Sequence, residues 1–294
     1  MKNLYWIIFT LFPIIGYSQN PPVKIEVVPI TDQIAMLQGA GGNMAVFYGD
    51  EGVFLIDDEY TQNSLGIDSA INTLSENPVR FVVNTHWHGD HTGGNTFFSE
   101  QGAIVFAHEN VRKRLSEDQF MSAFGREVSA ADKSAWPILT FTSDLTLHLN
   151  GEDVSIFHVH NAHTDGDAMV FFVNSNVLHM GDTYFQGKFP FIDISSGGSI
   201  DGLIGAIEKA LFITNDKTVL IPGHGVLSNR AELSEYLAML LDLRSQVALT
   251  IEAGMTMEQI EKMELFVKYD DQWGGGFING PKLINFIYES LPKE

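Results

Sequence analysis

No cysteine occurs in the 294 residues. Disulfides, thiolate metal ligands and a cysteine nucleophile are excluded, and so is a thioether-linked lipid anchor. A chain without thiols also enters an oxidising compartment without mispairing. Basic residues are scarce: 17 Lys and Arg stand against 37 Asp and Glu, a net charge of −20. Nucleic-acid binding needs clustered cations to displace counterions from phosphates, and no such cluster exists. A few of the acids are expected at a metal site; the rest form a solvated surface. Beyond the N-terminus no run is long and uncharged enough to span a bilayer.

That N-terminus has the plan of a secretory signal: Lys2 is basic, Leu4 to Ile15 is apolar save for Thr10 and Pro13, and Gly16 and Ser18 are small. The stretch is short and proline-broken for a membrane span. The expectation is a signal peptide over 1–18, a mature domain over 19–294, and a periplasmic or secreted product that leaves the membrane after cleavage. With 45% hydrophobic and 18% charged residues, the remainder can bury a core as one domain.

Strands are predicted within Val23 to Leu37 and Met44 to Ile56, around the turn Gly39-Ala40-Gly41-Gly42-Asn43. Val79 to Asn84 and Ala103 to Ala107 follow as strands, with helices over Ser64 to Leu74 and Glu109 to Leu115. Ser116 to Ala135 reads either as a flap over a site or as a helical excursion. The second half repeats the rhythm. Strands are predicted at Val154 to Val159, Ala168 to Val173, Val177 to Met180 and Thr218 to Ile221. Helices are predicted at Ile200 to Phe212, Arg230 to Ala253, Met257 to Met263 and Lys282 to Leu291. Strands inside flanking helices in both halves predict an α/β fold, a four-layer αββα sandwich.

Within Thr85-His86-Trp87-His88-Gly89-Asp90-His91, three imidazoles and a carboxylate fall in six consecutive positions directly after a predicted strand. Imidazole nitrogen and carboxylate oxygen suit borderline divalent cations such as zinc. Two ions need more ligands than one loop supplies. Further candidates stand in His163-Thr164-Asp165, Gly181-Asp182-Thr183 and Gly223-His224-Gly225, each after a predicted strand. His108, His148, His158 and His179 read as structural histidines, and His160 is undecided.

The His-x-His-x-Asp-His run, with the later His, Asp and His, resembles the metallo-β-lactamase superfamily from about Val23 to the C-terminus. The resemblance implies that His86, His88 and His163 hold one metal, that Asp90, His91 and His224 hold a second, and that Asp182 bridges them. It implies two Zn2+ per chain and hydrolysis of a small-molecule substrate by a hydroxide bridging the ions. Asp90 would orient that nucleophile and take its proton. Asp57 would orient a ligand histidine. Tyr184 would be a second donor or merely an aromatic wall. In the stretch Gly181 to Asp193, Phe185, Phe189 and Phe191 would wall a pocket, and Lys188 would meet a carboxylate. The chain departs from cysteine-type β-lactamases, because Asp182 stands where their thiolate would. That leaves lactam, lactone and ester cleavage open. Two other classes remain: an iron-dependent sulfur dioxygenase-like oxidoreductase, and a non-catalytic metal-binding protein on the same fold.

Overall fold

The strand Ile34–Gln38 is apolar at every position but the last, because both of its faces are covered. Ile34 and Met36 point to one core, and Ala35 and Leu37 to another. The period-2 alternation of a strand makes this division. It recurs in Gly52–Ile56, where Phe54 and Ile56 take the first core and Val53 and Leu55 the second.

A computed structural model describes residues 23–292. The proposed signal segment, 1–18, lies outside the described residues. The strands are β1 (Glu26–Pro29), β2 (Ile34–Gln38), β3 (Met44–Gly49), β4 (Gly52–Ile56), β5 (Val79–Asn84), β6 (Ile104–His108), β7 (Gln119–Met121), β8 (Arg126–Val128), β9 (Leu139–Phe141), β10 (Asp144–Leu149), β11 (Glu152–His158), β12 (Ala168–Phe172), β13 (Val177–His179) and β14 (Val219–Ile221). The helices are α1 (Ser64–Asn72), α2 (Gly89–Thr92), α3 (Asn95–Glu100), α4 (Glu109–Leu115), α5 (Ile200–Ile213), α6 (Arg230–Glu252), α7 (Met257–Glu261), α8 (Val267–Trp273) and α9 (Gly280–Ser290).

One sheet runs in the order β1-β2-β3-β4-β5-β6-β9, and the other in the order β10-β11-β12-β13-β14. Pairing in the first is antiparallel up to β4 and parallel beyond it. The sheets meet face to face over Phe47, Phe54, Val154, Val170 and Phe172; the rings of Phe47 and Phe172 lie 5.3 Å apart, edge to face. Ile67, Ile71 and Phe98 of α1 and α3 cover the outer face of the first sheet. Leu203, Ile207, Leu240 and Ile284 of α5, α6 and α9 cover the second. The architecture is the expected αββα sandwich. No described helix is long and apolar enough to cross a membrane.

Two predicted segments are divided more finely than their apolar content suggested. Val23 to Leu37 is broken between β1 and β2, where Thr31 Oγ1 accepts from the backbone of Gln33 and Ile34. Met44 to Ile56 is a hairpin turning at Asp50-Glu51. Ser116 to Ala135 is built on the hairpin β7–β8, with single 3-10 turns at Ser122–Phe124 and Lys133–Ala135 and no α-helix.

Candidate metal centre

The first loop folds by a change of backbone at His88. His86 and Trp87 lie in a bend after β5, and His88 is extended, with φ −63° and ψ 147°. The single turn of α2 then brings Asp90 and His91 back toward them, with His91 N–H donating to the His88 carbonyl at 3.0 Å. The other candidates enter from the second sheet. His163 sits on a turn gathered by the Asp167 carboxylate, which accepts from the backbone of His163 and Thr164 at 2.6 and 2.8 Å. Asp182 lies in a tight turn opened by Gly181, whose φ is +53° and where a Cβ would meet Thr85. His224 follows β14. The halves are tied by Asn43, whose backbone and side chain donate to the carbonyls of Gly223 and Pro222.

The ligand atoms fall into two groups, His86, His88, His163 and Asp182, and Asp90, His91 and His224; in each they lie within 4.8 Å of one another. Asp182 reaches both. Its Oδ2 is 3.8 Å from His86 Nε2, 3.6 Å from His163 Nε2 and 3.4 Å from His224 Nε2, and its Oδ1 is 3.1 Å from His91 Nε2. Asp90 Oδ2 is 3.4 Å from His224 Nε2 and 3.9 Å from His91 Nε2. All seven candidates from the sequence are thus brought together, with Asp182 between the groups.

The outer partners fix which ring nitrogen turns inward. His88 Nε2 contacts Asp193 at 3.0 Å, His91 Nδ1 contacts Asp57 at 2.7 Å, and His163 Nδ1 contacts the Phe191 carbonyl at 2.8 Å. Each outward nitrogen faces an oxygen acceptor and so carries the proton. His86 Nδ1 lies 3.1 Å from Thr85 Oγ1, whose hydroxyl donates to Asp57 at 2.8 Å. With the outward nitrogens protonated, the inward atoms of His86, His88 and His163 present lone pairs. His163 Nε2 and His88 Nδ1 approach to 2.9 Å, and His86 Nε2 and His88 Nδ1 to 3.2 Å, with no proton left to share. His91 Nε2 and Asp182 Oδ1 are buried without a hydrogen bond. Converging lone pairs of this kind repel unless a cation lies among them, so the donor set fits metal ions.

The electrostatics separate the two groups. Burial, then the neighbouring His88, press the His163 pKa down to about 4, so its ring is neutral. Burial also lowers His86 well below the usual range, reinforced by His91. Burial would lower His91 and His224 too, but the carboxylates outweigh it: Asp182 with Asp57 and Asp90 raises His91 well above the usual range, and Asp182 with Asp90 raises His224 to about 9. These carboxylates therefore concentrate negative potential where the second group converges.

Close packing leaves little freedom here. A Cβ on Gly42 would overlap the His91 ring, and one on Gly223 would overlap Asp182 Oδ1. Asp57 and Glu59 hold left-handed φ values of 59° and 55°, strain placed directly behind His91.

The site opens into a cavity of about 600 Å3, lined by Asp90, Asp182 and His224 at the base and by Trp87, Phe124 and Phe191 among its walls. Such a volume suits a small organic molecule. The β7–β8 hairpin supplies Met121, Phe124, Arg126 and Val128, so the 116–135 segment does cover the site. Lys188 lines it as expected. Of the three phenylalanines, Phe191 lines the cavity and stacks on His88, centroids 5.7 Å apart. Phe185 is fully buried and stacks on His224, and Phe189 lies in the core. Of the two readings of Tyr184, the donor falls: its side chain is buried with the hydroxyl on Ser228 at 2.8 Å, burial pushes its pKa up to about 12, and it does not line the cavity.

Four residues escaped the sequence reading. Asp193 anchors His88. Glu59 accepts from Gly41 N–H at 2.6 Å and holds the glycine-rich turn against Asp90. Arg126 and Phe277 line the cavity. Asp193 had one signal, an acid closing an apolar run before Ser195-Ser196; the others depend on tertiary contacts. Among the histidines set aside, His179 donates to the Asn43 carbonyl, His108 caps α4, and exposed His148 pairs with Asp153. His160 lies edge-on to His158, outside both ligand groups.

A sequence model of the metallo-beta-lactamase superfamily matches residues 38–224, and the chain belongs to that superfamily. It is similar to the 2,4-dinitroanisole O-demethylase subunit alpha of Nocardioides sp., 23% identical over 89% of this chain and 76% of that protein. It is also similar to the metallo-beta-lactamase type 2 of Bacteroides fragilis, 21% identical over 76% of this chain and 90% of that one. Among solved structures, a metallo-beta-lactamase from Pontibacter korlensis superposes with a TM-score of 0.62 at 20% identity, covering 74% of this chain and all of its own. That likeness concerns the fold.

Proposed function

We propose that the chain is a binuclear zinc-dependent hydrolase acting on a small cyclic or acyclic ester or amide, such as a lactone, an ester or a β-lactam. One observation carries this reading: seven side chains converge as two ligand groups sharing Asp182 at the base of a cavity. His86, His88 and His163 would hold one ion, Asp90, His91 and His224 the other, with Asp182 between. Bound there, the ions would supply an ionised water near neutral pH and polarise the substrate carbonyl.

The protein's own groups do the rest. Asp90 lines the cavity, and its carboxylate stays ionised, because His91 and His224 overcome the effect of burial and draw its pKa down to about 2. It is thus a constant acceptor that orients the attacking water and receives its proton in passing. Asp57 and Asp193 keep the ligand rings in one tautomer throughout. Trp87, Phe124 and Phe191 displace bulk water from the reacting carbonyl, which strengthens the electrostatics inside. The lactamase relative supports including β-lactams, and the demethylase relative supports including aromatic substrates. Export, through cleavage near Gln19, belongs to the same proposal.

The test is a panel of lactones, aryl and alkyl esters, thioesters and β-lactams offered to zinc-loaded protein. Turnover of at least one, abolished by chelation, supports the hydrolase. Oxygen consumption with bound iron and no hydrolysis would instead favour the oxidoreductase class.

A further inference from the structure

Two phenylalanines stand exposed at the cavity, Phe277 at 53% and Phe124 at 43%. They face each other with centroids 6.3 Å apart, and each meets Phe191, at 6.1 and 5.2 Å. Phe191 in turn stacks on the candidate ligand His88. An aromatic surface therefore leads from solvent to the metal centre. Its rings come from three separate segments: the β7–β8 hairpin, the loop before Asp193, and the turn between α8 and α9. The last lies beyond residues 38–224, so Phe277 is added to this wall by the chain's own C-terminal region.

The segments are braced together. Phe189 N–H donates to the Trp273 carbonyl at 2.8 Å, and the Lys188 stem packs over Gly276, where a Cβ would lie 3.2 Å from that of Lys188. Ser122 N–H donates to Ser195 Oγ at 3.3 Å, fixing the hairpin to the turn after Asp193.

Charge adds a second element. Outside the ligand histidines, the charged side chains lining the cavity are Asp90, Asp182, Arg126 and Lys188. The two acids belong to the ligand groups, which leaves the two cations. Among the described residues neither Arg126 nor Lys188 makes an ion pair, although the chain carries 37 acids. Lys188 alone would be a weak attraction in so acidic a protein; a second cation lining the same cavity, Arg126 of the hairpin, changes the local balance.

We propose that the cavity selects an amphiphilic substrate, with a broad aromatic group held by Phe124, Phe191 and Phe277 and one anionic group held by Arg126 and Lys188. The substrate class is then an aryl-bearing ester, lactone or amide that also carries a single negative charge. This rests on the hydrolase reading, yet it is tested by binding alone.

The probes are 2-naphthylacetate, its neutral amide 2-naphthylacetamide, checked beforehand to be left intact by the zinc-loaded protein, and acetate, each titrated calorimetrically into that protein. Naphthylacetate should bind about tenfold tighter than either of the others. The Arg126→Gln, Lys188→Gln double variant should bind the anion and the amide alike, and Phe277→Leu should weaken both aryl probes several-fold, about 1 kcal/mol for an aromatic contact. Circular dichroism and metal content should be unchanged in both variants. Equal affinity for anion and amide in the wild type overturns the proposal. So does an anion preference that survives in the double variant, because the carboxylate would then be reading the metals alone. A hydrolase that fails on every substrate but keeps this binding pattern would sink the reaction and leave the site standing.

Discussion

Asp193 Oδ2 lies 3.0 Å from His88 Nε2, and this contact turns Nδ1 of that ring, rather than Nε2, toward His86 and His163. Asp193 is itself held by the hydroxyl of Ser196, which also accepts from Trp87 Nε1 at 3.1 Å. Removing such an outer partner typically costs 10–100-fold in metal affinity. Asp193→Ala is expected to weaken the tightest zinc site by roughly that factor, measured by competition with a chromophoric chelator. Asp193→Asn keeps an oxygen acceptor and should lose less. Equal affinity in Asp193→Ala and the wild type would show that the ring is positioned by its neighbours alone.

Gly42→Ala should act on the other group. Its Cβ has nowhere to go but into the His91 ring. His91 cannot retreat, because Asp57 holds its far nitrogen at 2.7 Å. The variant should fold, bind one zinc near normally and bind the second poorly. Anomalous diffraction at the zinc edge would read both occupancies. Full occupancy at both would mean that the glycine-rich turn gives way easily.

Asp90→Asn preserves shape and removes the negative charge. Turnover should fall by roughly 10²-fold or more, the usual scale for a lost general base or orienter. Bound metal should fall less than in His163→Ala. Unchanged kcat at full occupancy would remove Asp90 from the chemistry.

The ligand set was legible because its information is local: the His86 to His91 run, and His163, Asp182 and His224, all follow strands that their apolar runs announce. Asp57 was legible for the same reason. The partners of His88 were not. Asp193 is 105 positions away, and nothing between fixes their separation. Arg126 and Phe277 reach the cavity only through the hairpin and the α8–α9 turn, and α8 itself has too few apolar positions to be marked in advance. Tyr184 stood open between two readings. Proximity to Asp182 in sequence suggested a donor, but the turn at Gly181–Thr183 sends its side chain the other way, onto Ser228 and Tyr236.

His158 gives a pH prediction remote from the metals. Burial, with His108 stacked 3.9 Å away, lowers its pKa to about 4. An unfolded histidine titrates near 6.5. Between those values the unfolded chain binds the extra proton, so the contribution is complete above about pH 6.5 and is lost as pH falls toward about 4. With metal removed, the melting temperature of His158→Asn should fall less steeply across that window than that of the wild type. Parallel curves would contradict the assignment.

The central claim is that the seven side chains around Asp182 hold two zinc ions that hydrolysis requires. Elemental analysis of the purified mature protein, paired with activity on whichever panel substrate turns over, tests it most directly. The account predicts close to two equivalents of metal per chain, loss of activity on chelation and recovery with zinc. Fully active protein without tightly bound metal would contradict it.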